Sequence, residues 1–165
     1  MSAAAGIVAP MRRRWLLAGL AALAASAALA QTPNQRFTTS PLTIETAGGA
    51  RHGFTVEFAD DDAKRALGLM FRERMAPDAG MLFDFKADQP VAMWMRNTRI
   101  PLDMLFVARD GRVVNIRERA VPMSEETISS DGPVRAVLEL NGGTVSRLGI
   151  RPGDRLRHAM FGNAG

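Results

Sequence analysis

The sequence predicts a mainly β domain, either a jelly-roll-like sandwich or a small barrel of about eight strands, with one short helix. Short apolar runs recur along the chain, turn residues separate them, and only one segment shows the apolar spacing of an amphipathic helix. Hydrophobic residues make up 47% of the 165 residues and charged residues 23%, which excludes a disordered chain.

The predicted strands follow one another closely. They cover residues 42–46, 53–58, 81–85, 91–95, 104–107, 113–116, 134–140 and 155–160. Gly48-Gly49 and Asp110-Gly111 separate consecutive runs, and such pairs tolerate the positive φ angles of tight turns. We therefore expect a hairpin at each of these two places.

The predicted helix follows the second strand. Asp60 can cap it, and Asp61 and Asp62 suit the positive N-terminal end of a helix. A second short helical turn is expected over residues 144–148. The apolar stripe of the first helix would consist of Ala63, Ala66, Leu67 and Met70.

The longest irregular stretch covers residues 118–133 and is rich in proline, serine and glycine. Loops of this length are often lids or binding loops. A plain solvated crossover is an equally good interpretation, and the sequence leaves the two open.

The N-terminal segment has the pattern of an export signal. Arg12, Arg13 and Arg14 precede an apolar run over residues 15–30, which ends in Ala-Leu-Ala before Gln31. We expect residues 1–30 to be a cleavable signal peptide, with Met11 as an alternative start, so that the protein is periplasmic or secreted. Residues 31–40 would then be a flexible tether, and residues 41–165 a single domain.

Two alternatives concern export. The arginine cluster followed by Trp15 also resembles a twin-arginine signal, although the general secretory route is favoured. An N-terminal membrane anchor is disfavoured, because the run is short and rich in alanine whereas a spanning helix needs about 20 strongly apolar residues. Cleavage removes three of the 21 basic residues and none of the 17 acidic ones, which lowers the net charge from +4 to +1. We therefore expect neither a nucleic-acid partner nor a stable membrane span.

Three stretches resemble one known family closely. They are RALGLMFR at 65–72, GMLFDF at 80–85 and WMRNTRIPLDMLF at 94–106, and further matches include Val137-Leu138-Glu139 with Gly142-Gly143. These residues resemble the DUF192 (UPF0127) family, and the resemblance covers roughly residues 42–160. It implies a mainly β, jelly-roll-like domain that is often exported and has no established activity. The family's recurrent polar positions correspond here to Arg65, Arg72, Asn97, Thr98, Asp103 and Glu139.

Strand alternation places the two carboxylates of that set among apolar side chains. Asp103 should share a face with Leu105 and Val107, and Glu139 should share a face with Val137. An isolated charge in such surroundings is costly unless it is paired or neutralised. Either one of the two arginines forks onto one of these carboxylates as a structural pair, or the polar residues line a ligand pocket.

The leading functional hypothesis is a monomeric, exported domain that binds a small molecule or an envelope protein through a pocket containing the six polar residues. The first alternative is a hydrolase-like enzyme that uses Asp103 and Glu139 as a carboxylate pair. The second is a purely structural envelope protein. No catalytic residue is assigned, because no positioned nucleophile is recognisable.

No metal or cofactor is expected from the sequence. Cysteine is absent, and His52 and His158 lie far apart without neighbours at ligand spacing. A methionine-based Cu(I) site is a less favoured alternative, since Met93 and Met95 share a strand face. Methionine more often fills irregular cores, and this is the favoured interpretation for Met81, Met95 and Met104.

Overall fold

A computed structural model describes residues 36–164, which form nine strands and two short α-helices, so the mainly β class is confirmed. Strands β1 to β9 span Thr38–Glu45, Arg51–Ala59, Ala79–Gln89, Ala92–Met93, Leu102–Val107, Val113–Ala120, Ile128–Ser129, Val134–Asn141 and Arg155–Arg157. Helices α1 and α2 span Asp62–Leu67 and Thr144–Leu148, and a 3-10 turn spans Ala159–Phe161. The expected signal peptide lies outside the described residues. None of the helices within residues 36–164 is long and apolar enough to cross a membrane.

Seven strands form one curled sheet in the order β6-β5-β8-β3-β2-β1-β9. Its two outer strands meet at one corner, where the backbone N–H of Val113 donates to the carbonyl of Asp154 at 2.8 Å. The N–H of Leu156 donates to the carbonyl of Gly111 at 2.7 Å at the same corner. Most strand pairs are antiparallel, but β2 and β3 are parallel and α1 connects them. The sheet is therefore a half-barrel that closes at one end.

The two faces of the sheet build two separate hydrophobic cores. Leu105 and Leu138 point into the barrel and belong to the inner core. Their neighbours Met104 and Val137 belong to the outer core, which Leu69 from the segment after α1 also joins. Because side chains alternate along a strand, neighbouring residues of β5 and β8 serve different cores. This explains why β5 is buried along its whole length.

Two predicted elements differ from the observed ones near the outer core. The run over 91–95 is strand only at β4, and β4 pairs with β7, which lies inside the predicted irregular stretch 118–133. After β4 the chain leaves the extended conformation, and the N–H of Met95 donates to the carbonyl of Ser124 at 3.0 Å. Part of the predicted loop is thus a cover strand over the outer face of the sheet.

The helix prediction was right in position and wrong in its details. The cap of α1 is Asp61 and not Asp60, because the Asp61 carboxylate accepts from the N–H of Lys64 at 2.8 Å. Asp60 instead pairs with the Lys64 ammonium at 2.6 Å. The helix ends at Gly68, whose φ of 48° and ψ of −135° suit only glycine, so Met70 lies beyond the helix.

The predicted turns agree with the structure. Gly49, with φ of 84°, lies in the turn between β1 and β2, and Gly111, with φ of 86°, lies in the turn between β5 and β6. Strand β1 begins at Thr38, inside the segment that the sequence assigned to a tether, because Thr38 pairs with Phe58. The last residues of that segment therefore belong to the sheet.

Candidate ligand-binding site

A pocket of about 280 Å³ opens on the outer face of the sheet. It lies between the C-terminal end of α1, the strands β3 and β8 beneath it, and the β4 segment beside it. Most of its lining is apolar. The lining residues are Arg65, Ala66, Leu67, Gly68, Leu69, Met70, Phe83, Phe85, Ala92, Met93, Trp94, Thr98 and Glu139.

Glu139 is the buried carboxyl group of this pocket. It lies on β8 directly between Met81 of β3 and Met104 of β5, both of which are completely buried. Glu139 itself is 4% exposed, and among residues 36–164 no donor forms a hydrogen bond or ion pair with its carboxyl group. Burial raises the pKa of Glu139 to about 8, because the apolar surroundings disfavour the charged form.

Arg65 is the one cationic side chain that lines the pocket, and other groups hold it. Its guanidinium donates to the backbone carbonyl of Asp84 at 2.6 Å and pairs with the carboxylate of Asp62. It also lies over the ring of Phe85, with its central carbon 5.8 Å from the ring centroid. These three contacts hold the guanidinium in place, and it forms neither a hydrogen bond nor an ion pair with Glu139.

The remaining wall offers little polarity. Phe83 and Phe85 project from alternate positions of β3, and Met93 packs against the outer core. The hydroxyl of Thr98 donates to the carbonyl of Arg96 at 3.3 Å, so its proton is used inside the loop. The pocket is therefore an apolar cleft with one unpartnered carboxyl group at its base.

Exposed apolar side chains, which we call the apolar rim, lie beside the pocket. They belong to three neighbouring segments, because Phe71 donates its N–H to the carbonyl of Asn97 at 2.8 Å and Met123 donates to that of Thr98 at 3.0 Å. Phe71 and Met123 both have positive φ, 66° and 62°. The apolar rim consists of Phe71, Trp94, Val121 and Met123.

Asp103, the other carboxylate of the predicted set, faces the inner core. Its Oδ1 accepts from the N–H of Arg119 at 2.8 Å and from the N–H of Gly143 at 3.0 Å. Its Oδ2 accepts from the N–H of Val145 at 2.8 Å. These bonds tie the end of β6 and the first turn of α2 to the centre of the sheet, which is a structural role.

The carboxylate-pair hypothesis is wrong for a geometric reason. Glu139 is in register with Met104 and not with Asp103, which is paired with Leu140. Paired residues on neighbouring strands project to the same face, so Asp103 and Glu139 project to opposite faces. A single substrate cannot contact both groups, and the hydrolase-like mechanism that requires them is excluded.

The expected arginine pairs with Asp103 or Glu139 are also absent among the described residues. Arg72 forks onto Glu57, with nitrogen–oxygen distances of 2.6 and 2.7 Å, and lies over the ring of Phe37. Asn97 adopts a positive φ of 55° and its amide lies 3.9 Å from the sulfur of Met70. Of the six predicted residues, the pocket thus brings together Arg65, Thr98 and Glu139, and leaves out Arg72, Asn97 and Asp103.

The aromatic wall of the pocket was not predicted from the sequence. Its signal was present in the alternation Phe83-Asp84-Phe85, which places both rings on one strand face. Trp94 is exposed at the pocket, and the Arg96 guanidinium lies 5.5 Å from its ring centroid. Only the covering segments show that these aromatic residues line a cleft.

The buried methionines belong to the outer core. Met81, Met95 and Met104 have no exposed surface and pack in one cluster, which confirms their predicted role as core residues. Within residues 36–164, no three histidine, cysteine, aspartate or glutamate side chains come together as a metal-binding group.

The comparisons with known proteins now place the chain in a family. The family described as Uncharacterized ACR, COG1430 (DUF192) matches residues 43–158, so the chain belongs to the DUF192 family, as its motifs predicted. This is a family of uncharacterised proteins. None of the curated proteins matches the chain.

Two solved structures are similar over most of the described fold. One, from Sinorhizobium meliloti 1021, is described as a candidate transcription regulator; it is 54% identical, with a TM-score of 0.75, and the match covers 76% of this chain and 98% of that one. The other is a protein of unknown function from Novosphingobium aromaticivorans DSM 12444, which is 44% identical with a TM-score of 0.72. That match covers 76% of this chain and 89% of the other.

Proposed function

We propose that the protein binds a small ligand in the pocket on the outer face of the sheet, with Glu139 as the group that recognises it. The observation that carries this proposal is a buried carboxyl group in an open cleft, for which residues 36–164 supply no partner. The apolar surroundings of this carboxyl group disfavour its charged form, so a fold without a use for it would be more stable with an apolar residue there.

The size of the cleft indicates the size of the ligand. Typical sites for drug-sized molecules occupy about 300–1,000 Å³. At about 280 Å³, this pocket suits a small metabolite and not a large cofactor. Its wall offers apolar contact from Phe83, Leu69 and Met93, so the ligand carries an apolar part as well as a polar group that reaches Glu139.

Two variants of α1 test the proposal without disturbing the core. Ala66 is exposed and lines the pocket mouth, whereas Ala63 is exposed on the same helix and does not line it. Native mass spectrometry of wild-type protein from its own host should detect a retained ligand. Ala66→Trp should lose that added mass and Ala63→Trp should keep it. Retention of the same mass by Ala66→Trp, or no added mass on the wild type, contradicts the proposal.

A partner protein that docks on the apolar rim is the second candidate. Clusters of exposed apolar side chains on soluble proteins often mark interaction sites. The double variant Phe71→Ser, Met123→Ser should then lose a co-purifying envelope protein that Ala66→Trp retains. The reverse pattern favours the ligand pocket.

We further propose that the chain acts outside the cytoplasm. The support is the sequence of residues 1–30, with its basic start, apolar run and small-residue cleavage site. The intact mass of protein isolated from the cell envelope should correspond to a chain that begins at Gln31. A chain that still carries the apolar run 15–30 favours an N-terminal anchor instead.

A further inference from the structure

We infer that the ligand presents a primary ammonium group on an apolar stem, and that the ammonium pairs with Glu139. This inference rests on the proposed function, because it names the chemical class of the ligand for the same pocket. It follows from the apolar residues around Glu139 and from the missing hydrogen-bond donor to its carboxyl group among the described residues.

Among residues 36–164, no cationic side chain pairs with Glu139. The carboxyl group lies between two methionines on the neighbouring strands, and none of the described residues donates to it. A buried carboxylate normally has a cation or several N–H groups as partners. When Glu139 is charged, a molecule that enters the cleft is in a position to supply the missing donor.

Arg65 does not pair with the Glu139 carboxyl group, so the position beside this carboxyl is open to a ligand. Arg65 lines the same pocket as Glu139. The carbonyl of Asp84, the carboxylate of Asp62 and the ring of Phe85 hold it instead. Because Asp62 balances its charge, Arg65 adds little repulsion against a second cation.

The shape of the cleft favours a cation on an apolar stem. Leu69 and the rings of Phe83 and Phe85 line the same cleft as Glu139 and offer apolar contact to a ligand there. A neutral ligand would need only an amide or hydroxyl at position 139, whereas a carboxyl group adds the ability to carry charge.

Ionisation of Glu139 gives this binding a characteristic pH dependence. The charged group that faces Glu139 within the pocket is Arg65, while β3, β4 and β5 present Met81, Phe83, Met93 and Met104, none of which titrates. Near neutral pH the carboxyl is mostly protonated, since burial raises its pKa to about 8. Binding of an ammonium then breaks the carboxyl O–H bond and releases its proton to the buffer. Affinity should therefore rise with pH until the ligand's own ammonium titrates.

Calorimetric titration with two probes of equal size tests the inference. Hexylamine carries the ammonium, and hexan-1-ol is its neutral counterpart. Wild-type protein should bind hexylamine at least about tenfold more tightly at about pH 9 than at about pH 6, because Glu139 changes from neutral to charged. Nα-acetyl-lysine methylamide, tested in parallel, distinguishes a free amine from a lysine side chain as the source of the ammonium.

Matched glutamine variants separate the role of Glu139 from a general charge effect. Glu139→Gln removes the carboxyl at nearly constant shape, and Glu126→Gln removes an exposed acid outside the pocket. Glu139→Gln should weaken hexylamine binding by at least about tenfold and remove its pH dependence, because a buried charge loses its partner. Glu126→Gln should bind like the wild type.

The outcomes also distinguish a failure of the ammonium inference from a failure of the proposal that the pocket binds a ligand. If hexan-1-ol binds as tightly as hexylamine and neither responds to pH, the ammonium inference is overturned and the pocket remains a binding site. If neither probe binds the wild type, the inference is likewise overturned, and the retained-ligand test with Ala66→Trp decides whether the pocket binds anything. Equal weakening in both glutamine variants would also overturn it.

Discussion

Two buried carboxyl groups lie on neighbouring strands of the same sheet, and they differ in the hydrogen bonds that they receive. Asp103 of β5 faces the inner core and accepts three backbone N–H groups. Glu139 of β8 faces the outer core and receives no donor from the described residues. The first is integrated into the fold, and the second is available to a ligand.

The difference shows that burial alone does not distinguish a structural carboxylate from a functional one. Asp103 is 0% exposed and Glu139 is 4% exposed, so their accessibility is nearly the same. What separates them is the supply of donors. A complete set of hydrogen-bond donors stabilises a buried carboxylate. Without donors, the charged carboxylate is unfavourable, and the group is either protonated or paired with a ligand.

The largest expected effect on stability comes from removing the Asp103 carboxylate. Asp103→Ala leaves the N–H groups of Arg119, Gly143 and Val145 without an acceptor, and each costs roughly 1–3 kcal/mol when buried. We expect urea unfolding to show a loss of at least about 3 kcal/mol in the free energy of unfolding. A loss below about 1 kcal/mol would mean that water reaches these N–H groups and that Asp103 is not structural.

The next effect is a pH dependence of stability that originates in Glu139. Its pKa rises from 4.5 in the unfolded chain to about 8 in the fold, so the folded state holds the proton more tightly. Its contribution is therefore complete below about pH 4.5 and is lost as pH rises through about 8, in total roughly 3 kcal/mol between pH 5 and pH 8.

Unfolding measurements on Glu139→Gln isolate this contribution. Subtracting the pH profile of the variant from that of the wild type cancels the other titrating groups. The difference should fall steadily with rising pH. A flat difference means that Glu139 is solvated in the fold, which would remove the contrast with Asp103.

A third buried carboxylate should show the opposite pH dependence. Burial by itself would raise the pKa of Asp84, but hydrogen bonds from Arg135 and Lys86 outweigh it and lower the pKa below 3.8. Its contribution is present above about pH 4 and is lost as pH falls further. Arg135→Met should cost about 2 kcal/mol at neutral pH and less in acid, by urea unfolding. An equal cost at both pH values would show that Arg135 acts through packing alone.

The smallest effect is expected at Thr98. Its hydroxyl makes one long hydrogen bond, to the carbonyl of Arg96 at 3.3 Å, within its own loop. Thr98→Val should lower stability by less than about 1 kcal/mol and leave hexylamine binding unchanged. A tenfold loss of affinity would instead assign the hydroxyl to ligand recognition.

Much of the fold could be predicted because its signals are local. The turn at Asp110-Gly111 depends on the backbone freedom of one glycine, and α1 begins at a capping aspartate within a run of three. The predicted apolar stripe of α1 was wrong, because none of its residues is buried. Errors occurred where tertiary contacts override local preference. The run over 91–95 has strand composition, yet contacts with the segment around Ser124 limit the strand to Ala92–Met93.

The candidate site could be predicted only in part. The sequence marked six polar residues, and the structure brings three of them to one pocket. The sequence could not show that Arg72 and Arg65 have different roles, because the partner of Arg72 is Glu57, 15 residues away on β2. The aromatic wall also depends on a covering segment that no local pattern identifies.

The sequence by itself determined the mainly β class and the face of the strand on which each carboxylate lies. Alternation has a period of two, so Asp103 with Leu105 and Glu139 with Val137 follow from the chain alone. Only the tertiary structure decided which carboxylate is satisfied. The donors to Asp103 include the N–H groups of Gly143 and Val145, which lie 40 and 42 residues away. Local patterns describe a residue's own strand, whereas its partners depend on which distant segments the fold brings to it.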